Sequence, residues 1–219
     1  MANLQQSFNF LVDLRLNNDR IWFNNNKEYY QSALGEFESF INEMIPALKS
    51  FDASIDVSSA KECMFRIYKD VRFSANKDPY KTNFGAYIVR GGRKSPFAGY
   101  YIHFEPDSSF IGGGIYMPQP DVLMKLRTHV LNHTDEFKKI IYSDKFVSAF
   151  GTLMDEKLKT PPKGFPKDHP DIALAQYKSY AVGHNIPNEM WSEPDLIDKF
   201  SEIFKLQYNF NLFLNNAIK

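Results

Sequence analysis

The hydrophobic period of this chain changes twice. Through the first fifty residues, apolar side chains recur every three or four positions, the spacing of one helical face. Phe8, Leu11, Val12, Leu14 and Leu16 mark a first helix, Asn17-Asn18-Asp19 breaks it, and Tyr30, Leu34, Phe37, Ile41, Met44 and Leu48 mark a second from about Lys27 to Lys49. Trp22-Phe23 falls in the connection and plugs the core there. Residues 64–73 then alternate, with Phe65, Ile67, Val71 and Phe73 on one side and Met64, Arg66, Tyr68, Asp70 and Arg72 on the other, the period of a strand. Lys69, on the apolar side, reads as a bulge or a strand end. Further strands fit 84–90, 98–105 and 109–117. Asp78-Pro79, Gly91-Gly92 and Pro106-Asp107-Ser108 supply the turns, and connections this short make neighbours antiparallel.

From Pro120 the helical period returns. It predicts helices over 120–130, 134–142 and 145–158, another opened by Pro170 with Asp171 in its first turn, and a long amphipathic one over 193–217 carrying Leu196, Phe200, Phe204, Phe210 and Phe213. Helices over 3–50, an antiparallel sheet over 60–118 and helices over 120–219 predict one α+β domain spanning 1–219. Its central antiparallel sheet has about four or more strands, flanked by N-terminal and C-terminal helices.

Composition adds an aromatic core: there are 20 phenylalanines among 219 residues, and each buried ring brings roughly 150–250 Å² of contact. Cys63 is the sole cysteine, which rules out an internal disulfide and reads as a small packing residue. No basic segment followed by an apolar run opens the chain, and no stretch reaches the roughly 18 apolar residues of a membrane span. The expectation is a soluble cytoplasmic protein with no membrane partner.

Charge changes the picture more. The 26 basic and 26 acidic residues cancel, which argues against general polyanion binding. Yet residues 61–94 hold nine basic side chains against three acidic ones, enough for a focused anion site. Arg66, Lys69, Arg72, Lys77 and Lys81 crowd one strand-like run and its turn, with Tyr68, Tyr80, Asp70 and Asp78 among them. Two cations about 7 Å apart repel by roughly 2 kcal/mol at an effective dielectric near 20, so the cluster calls for a bound anion or for nearby carboxylates. The turn brings Lys77, Tyr80 and Lys81 back toward Arg72 as a tight anion site. Arg66, roughly 20 Å from Arg72 along a straight strand, takes a second subsite or a structural pair. Asp70 among cations stays ionised, which suits an orienting role over a general base.

On the 98–105 strand, Tyr101, His103 and Glu105 share one face, and Tyr100, Ile102 and Phe104 the other. Joined by Asp70, His103 and Glu105 are candidates for acid–base work or for holding a divalent metal. The alternative is an ordinary half-exposed histidine. Spacing fixes no third metal ligand, and the sequence names no cofactor. Gly112-Gly113-Gly114 lacks the Lys-Ser/Thr of a phosphate loop and reads as a bulge or a close backbone approach. Pro161–Pro170 reads as a pinned surface loop, or as a lid contributing Lys163, Lys167 and His169.

The charged stretch resembles the conserved hypothetical family labelled domain of unknown function 2461. Its hallmark is Arg-x-x-Arg-Asp-x-Arg-Phe-x-x-x-Lys-x-Pro-Tyr-Lys-x-Asn. Arg66, Asp70, Arg72, Phe73, Lys77, Pro79, Tyr80, Lys81 and Asn83 match it, and Lys69 stands where the family has arginine. The segments from Asn17 to Phe23, Tyr100–Pro106 and Pro161–Pro170 are similar as well. The resemblance implies no particular activity, only that the cluster is the family's common feature.

Three readings follow. In the first, an enzyme or binding protein takes a phosphorylated small molecule or nucleotide on Arg66, Arg72, Lys77, Tyr80 and Lys81, with Asp70, His103 or Glu105 assisting proton transfer or holding a metal. In the second, a nucleic-acid-binding module stacks bases on Tyr68 and Tyr80. In the third, an internally neutralised network pins the turn.

Overall fold

The computed structural model describes residues 4–70, 72, 76–154 and 156–218. The fold is α+β, with a four-stranded antiparallel sheet in the order β1-β2-β3-β4. The chain forms two compact units: Met1–Arg93 with Tyr101–Ile111 and Asn185–Ser201, and Lys94–Tyr100 with Gly112–His184 and Glu202–Lys219.

The first unit opens with α1 (Gln5–Leu16), α2 (Arg20–Asn25) and α3 (Lys27–Lys49). The break after α1 falls where the polar Asn-Asn-Asp run predicts it. Asp19 then caps α2, its carboxylate accepting from the N–H groups of Ile21 and Trp22 at 2.7 and 2.9 Å. Trp22-Phe23 therefore lies in a short helix rather than a bare connection, and Phe23 is buried. The apolar stripe of α3 (Phe37, Phe40, Ile41, Met44, Leu48) is fully buried. After the one-turn α4 (Ala60–Cys63) come β1 (Phe84–Ile88), most of β2 (Gly99–Phe104) and the start of β3 (Phe110–Ile115). Phe37 stacks on Phe84 of β1 and on Phe104 of β2, with ring centroids 5.5 and 6.1 Å apart. One sheet face is thereby committed to the helices, and Gly85, Tyr101 and His103 are left on the other by the period of two.

Among the described residues of the strand expected over 64–73, no strand forms. Residues 64–69 run as an irregular arm beside β1 and the stretch before it, bridged among the described residues at Met64 to Ala86 and at Tyr68 to Tyr80. Phe65 donates its N–H to the Gly85 carbonyl (2.9 Å), Lys81 to that of Ile67 (2.8 Å), and Lys69 to that of Pro79 (3.0 Å). Pro79 has no N–H to return, so the ladder cannot continue there. Phe65 and Ile67 do not share an environment: Ile67 is buried, and Phe65 is 37% exposed. Val71 and Phe73 of the expected apolar face lie outside the described residues.

The second unit contains α5 (Pro120–Asn132), α6 (Thr134–Ile141), α7 (Asp144–Phe150), the one-turn α8 (Ile172–Ala175), β4 (Tyr180–Asn185) and most of α9 (Leu196–Asn216). The helix expected over 145–158 stops at Gly151, whose φ of +65° suits a glycine stop. Pro170 sits in a turn ahead of α8 rather than at its first position. β4 arises in a region read as helical. Tyr180, Ala181 and Val182 are all buried, so the segment shows no alternation for a period to detect. Phe137, Phe146, Tyr180, Phe210 and Phe213 form the centre of this unit's core.

The three glycines of β3 are explained by crowding. A Cβ on Gly112 would lie 2.1 Å from the Val182 carbonyl oxygen. On Gly113 (φ +150°) it would lie 2.0 Å from that of Gly99, and on Gly114 (φ +93°) 2.2 Å from that of Tyr180. This is the close backbone approach, and no phosphate-loop helix follows. Gly113 also makes room for Gln207 of α9, whose amide donates to the Gly99 carbonyl at 3.0 Å. Asn211 adds a second bond to the same oxygen, and Asn215 exchanges two bonds with Ala98.

Candidate functional site

The charged stretch resolves into parts with different environments. Tyr80, expected in the anion site, is a core residue 5% exposed. Its ring stacks on Phe23 with centroids 3.9 Å apart and planes 13° from parallel. Its backbone exchanges two hydrogen bonds with the Asn18 amide, at 3.1 and 3.0 Å. Asn18 thus ties the break after α1 to the charged stretch. Asn76 and Asp78 close a local turn on each other, and Lys77 is exposed beside them.

Asp70 and Arg72 form a two-pronged pair, Nε to Oδ1 at 3.0 Å and a terminal nitrogen to Oδ2 at 2.7 Å. The hydrogen bond from Arg72 lowers the Asp70 carboxyl to about 2, so Asp70 is ionised near neutrality. Its pairing is with Arg72, and it joins neither His103 nor Glu105 in a hydrogen bond.

Arg66 and Lys81 behave differently. Among the described residues no carboxylate comes within ion-pair distance of either, nor of Lys69. Burial lowers the Lys81 ammonium below the ordinary lysine value, and the Arg66 charge lowers it further. Lys81 Nζ lies 5.7 Å from the centroid of the Phe65 ring, a cation–π contact. The cations drawn together here are therefore Arg66 and Lys81, whereas the straight-strand distances had set Arg66 apart.

Beyond Phe65, the polar face of β2 carries a continuous hydrogen-bonded chain. Phe65 meets Tyr101 edge-on at 6.2 Å. The Tyr101 hydroxyl lies 3.0 Å from His103 Nδ1, and His103 Nε2 lies 2.9 Å from Glu105 Oε2. Thr82 donates its hydroxyl to the other carboxylate oxygen, Oε1, at 2.5 Å. The Asn83 amide nitrogen approaches Nδ1 at 3.4 Å. Phe110 of β3 stacks on the imidazole at 4.7 Å and 17°. Ser109 accepts the Glu105 N–H at 3.0 Å and returns its hydroxyl to the Glu105 carbonyl at 2.7 Å. The hydrogen bonds from His103 and Thr82 hold the Glu105 carboxyl below its usual range. Burial, helped by the Glu105 charge, raises the Tyr101 phenol to about 12.

The alternation along β2 places Tyr101, His103 and Glu105 on one face, and the structure puts them there half-buried, with Tyr100, Ile102 and Phe104 fully buried opposite. Thr82, Asn83 and Phe110 carry no such signal, because their part depends on how the strands pair. Both imidazole nitrogens are engaged, and the described residues contain no group of three or more His, Cys, Asp or Glu side chains able to hold a metal. Cys63 is buried, its thiol pushed up to about 12 by burial, in keeping with a packing role.

Fold and site together define an α+β protein that carries a Tyr–His–Glu chain and two cations, Arg66 and Lys81, with no ion-paired carboxylate among the described residues. A family model described as conserved hypothetical protein (DUF2461) matches residues 6–213, and the chain belongs to this family. No curated protein and no solved structure matches it. Among the described residues, no helix is long and apolar enough to cross a membrane.

Proposed function

We propose that this face binds a phosphorylated small molecule or nucleotide as the site of a cytoplasmic enzyme or binding protein. Arg66 and Lys81 receive the anion, and the Tyr101–His103–Glu105 chain stands beside it. The observation that carries this reading is that Arg66 and Lys81 repel one another and that, among the described residues, neither forms an ion pair with a carboxylate. A bound phosphate relieves that repulsion, arginine by forked hydrogen bonds and lysine as a point charge. The Asp70–Arg72 pair, by contrast, is already neutral and fits a structural role.

The test is thermal unfolding with pyrophosphate or adenosine diphosphate. A ligand at about a hundred times its dissociation constant adds roughly 2.7 kcal/mol of stability, a rise of roughly 5 °C or more for a chain this size. Arg66→Gln and Lys81→Met should each remove most of that rise, and Arg72→Ala little of it. No rise with any phosphorylated compound in the unaltered protein would end the proposal.

A second reading, nucleic-acid binding, draws support from Phe65 and Tyr68, 37% and 51% exposed beside Arg66 and Lys69. Bases stack on such rings, and backbone contacts make affinity fall steeply with salt. Absence of single-strand binding at low salt would remove it.

A further inference from the structure

We infer that Tyr101 is the group through which this site takes a proton from its ligand. A ligand hydroxyl or a water gives its proton to Tyr101 Oη, Oη passes its own to His103 Nδ1, and Glu105 holds the imidazolium that forms. The position of the ligand rests on the anion-binding reading above; the relay itself does not. The O–H bond of the ligand breaks and leaves its electron pair on the ligand oxygen. One proton moves from ligand to imidazole, with no oxidant or other reactant.

The direction follows from the partners. An ionised Glu105 only accepts, so the Nε2 that faces it at 2.9 Å carries the hydrogen. In a neutral ring Nδ1 then offers its lone pair, and the two groups near it, the Tyr101 hydroxyl at 3.0 Å and the Asn83 amide nitrogen at 3.4 Å, are both donors. Thr82 fixes the carboxylate and the stacked Phe110 fixes the ring plane, so turning a nitrogen outward would break the imidazole's bonds to Glu105 and Tyr101. His103 and Glu105 are therefore positioning residues. The Tyr101 oxygen, its proton committed to Nδ1, retains lone pairs that accept from a ligand O–H. The Phe65 ring contacts both the Tyr101 ring and Lys81, which puts the tyrosine on the same aromatic wall as the proposed phosphate contact. Burial keeps the phenol protonated at rest, so Oη relays a proton instead of storing a negative charge.

The experiment is long-range proton–nitrogen NMR of the full chain labelled with 15N-histidine, at about pH 8, above the ordinary histidine range. His103 is identified by its loss in His103→Gln. The expected spectrum shows a protonated Nε2 and a hydrogen-bonded, unprotonated Nδ1. In Tyr101→Phe, Nδ1 moves toward the position of a free ring nitrogen and Nε2 stays. An Nδ1-protonated ring or an imidazolium in the unaltered protein would overturn the relay, as would an Nδ1 signal indifferent to Tyr101→Phe. Glycerol 3-phosphate, which carries both a phosphate and hydroxyls, then tests the ligand end. Its binding, followed by calorimetry, should shift Nδ1 in the unaltered protein and not in Tyr101→Phe. Binding without that shift overturns the role of Tyr101 toward the ligand. Failure of phosphorylated compounds to bind counts against the anion site alone, because the spectrum of the free protein decides the relay.

Discussion

Gly85 gives the relay its room, and Gly85→Ala separates the relay from the fold. A Cβ at this position would lie 2.9 Å from the Tyr101 hydroxyl and 3.5 Å from both the Asn83 amide nitrogen and Tyr101 Cε2. Non-bonded heavy atoms settle at about 3.5 Å, so the hydroxyl must retreat by roughly half an ångström. It starts 3.0 Å from His103 Nδ1, and a displacement of that size away from the ring takes it past the roughly 3.2 Å at which such bonds weaken. Losing the bond costs about 0.5–1.5 kcal/mol. Gly85 has no positive φ, so alanine there returns about 0.4–1 kcal/mol through the unfolded chain. The two effects nearly cancel, and the variant should fall within about 1 kcal/mol of the parent in urea unfolding. Its His103 Nδ1 resonance should nevertheless move as it does in Tyr101→Phe. Destabilisation by about 3 kcal/mol or more would mean that the backbone, not the hydroxyl, yields. An unmoved Nδ1 signal would mean that the hydroxyl never bonded to the ring. Either result refutes the reasoning.

Tyr80→Ala should cost about 3–5 kcal/mol in chemical unfolding, as for a buried aromatic, whereas Tyr80→Phe should leave both stability and pyrophosphate affinity nearly unchanged. A selective loss of affinity in Tyr80→Phe would return the phenol to the anion site. Glu105 supplies a pH test. Its folded value is depressed, so its contribution to stability is complete above the ordinary carboxylate range near 4.3 and disappears as pH falls through the lower folded value. The stability gap between the parent and Glu105→Gln should be widest near neutrality and close as pH falls below the ordinary carboxylate range through the lower folded value. A gap that ignores pH would show that the carboxylate is not held ionised by His103 and Thr82.

The sequence alone determined the α+β class, the helices Gln5–Leu16 and Lys27–Lys49 and those over Pro120–Ile141, three of the four strands, and the face shared by Tyr101, His103 and Glu105. These depend on local periods of 3.6 and 2, which a chain carries whether or not it is folded. Tertiary structure decided the rest. β4 shows no alternation because its first three side chains, Tyr180, Ala181 and Val182, are buried on both faces. The arm at 64–69 stays irregular because its bridges at Met64–Ala86 and Tyr68–Tyr80 are out of register and Pro79 ends the second, a fact about pairing and not about the arm. Tyr80 turned from the cations into the core because Phe23 and Asn18, some sixty residues earlier, receive it. Glu105 acquired Thr82 and His103 acquired Phe110 only when strands met across hydrogen bonds. Which cations kept a carboxylate and which did not was likewise a matter of distance in space, and a line of residues does not contain it.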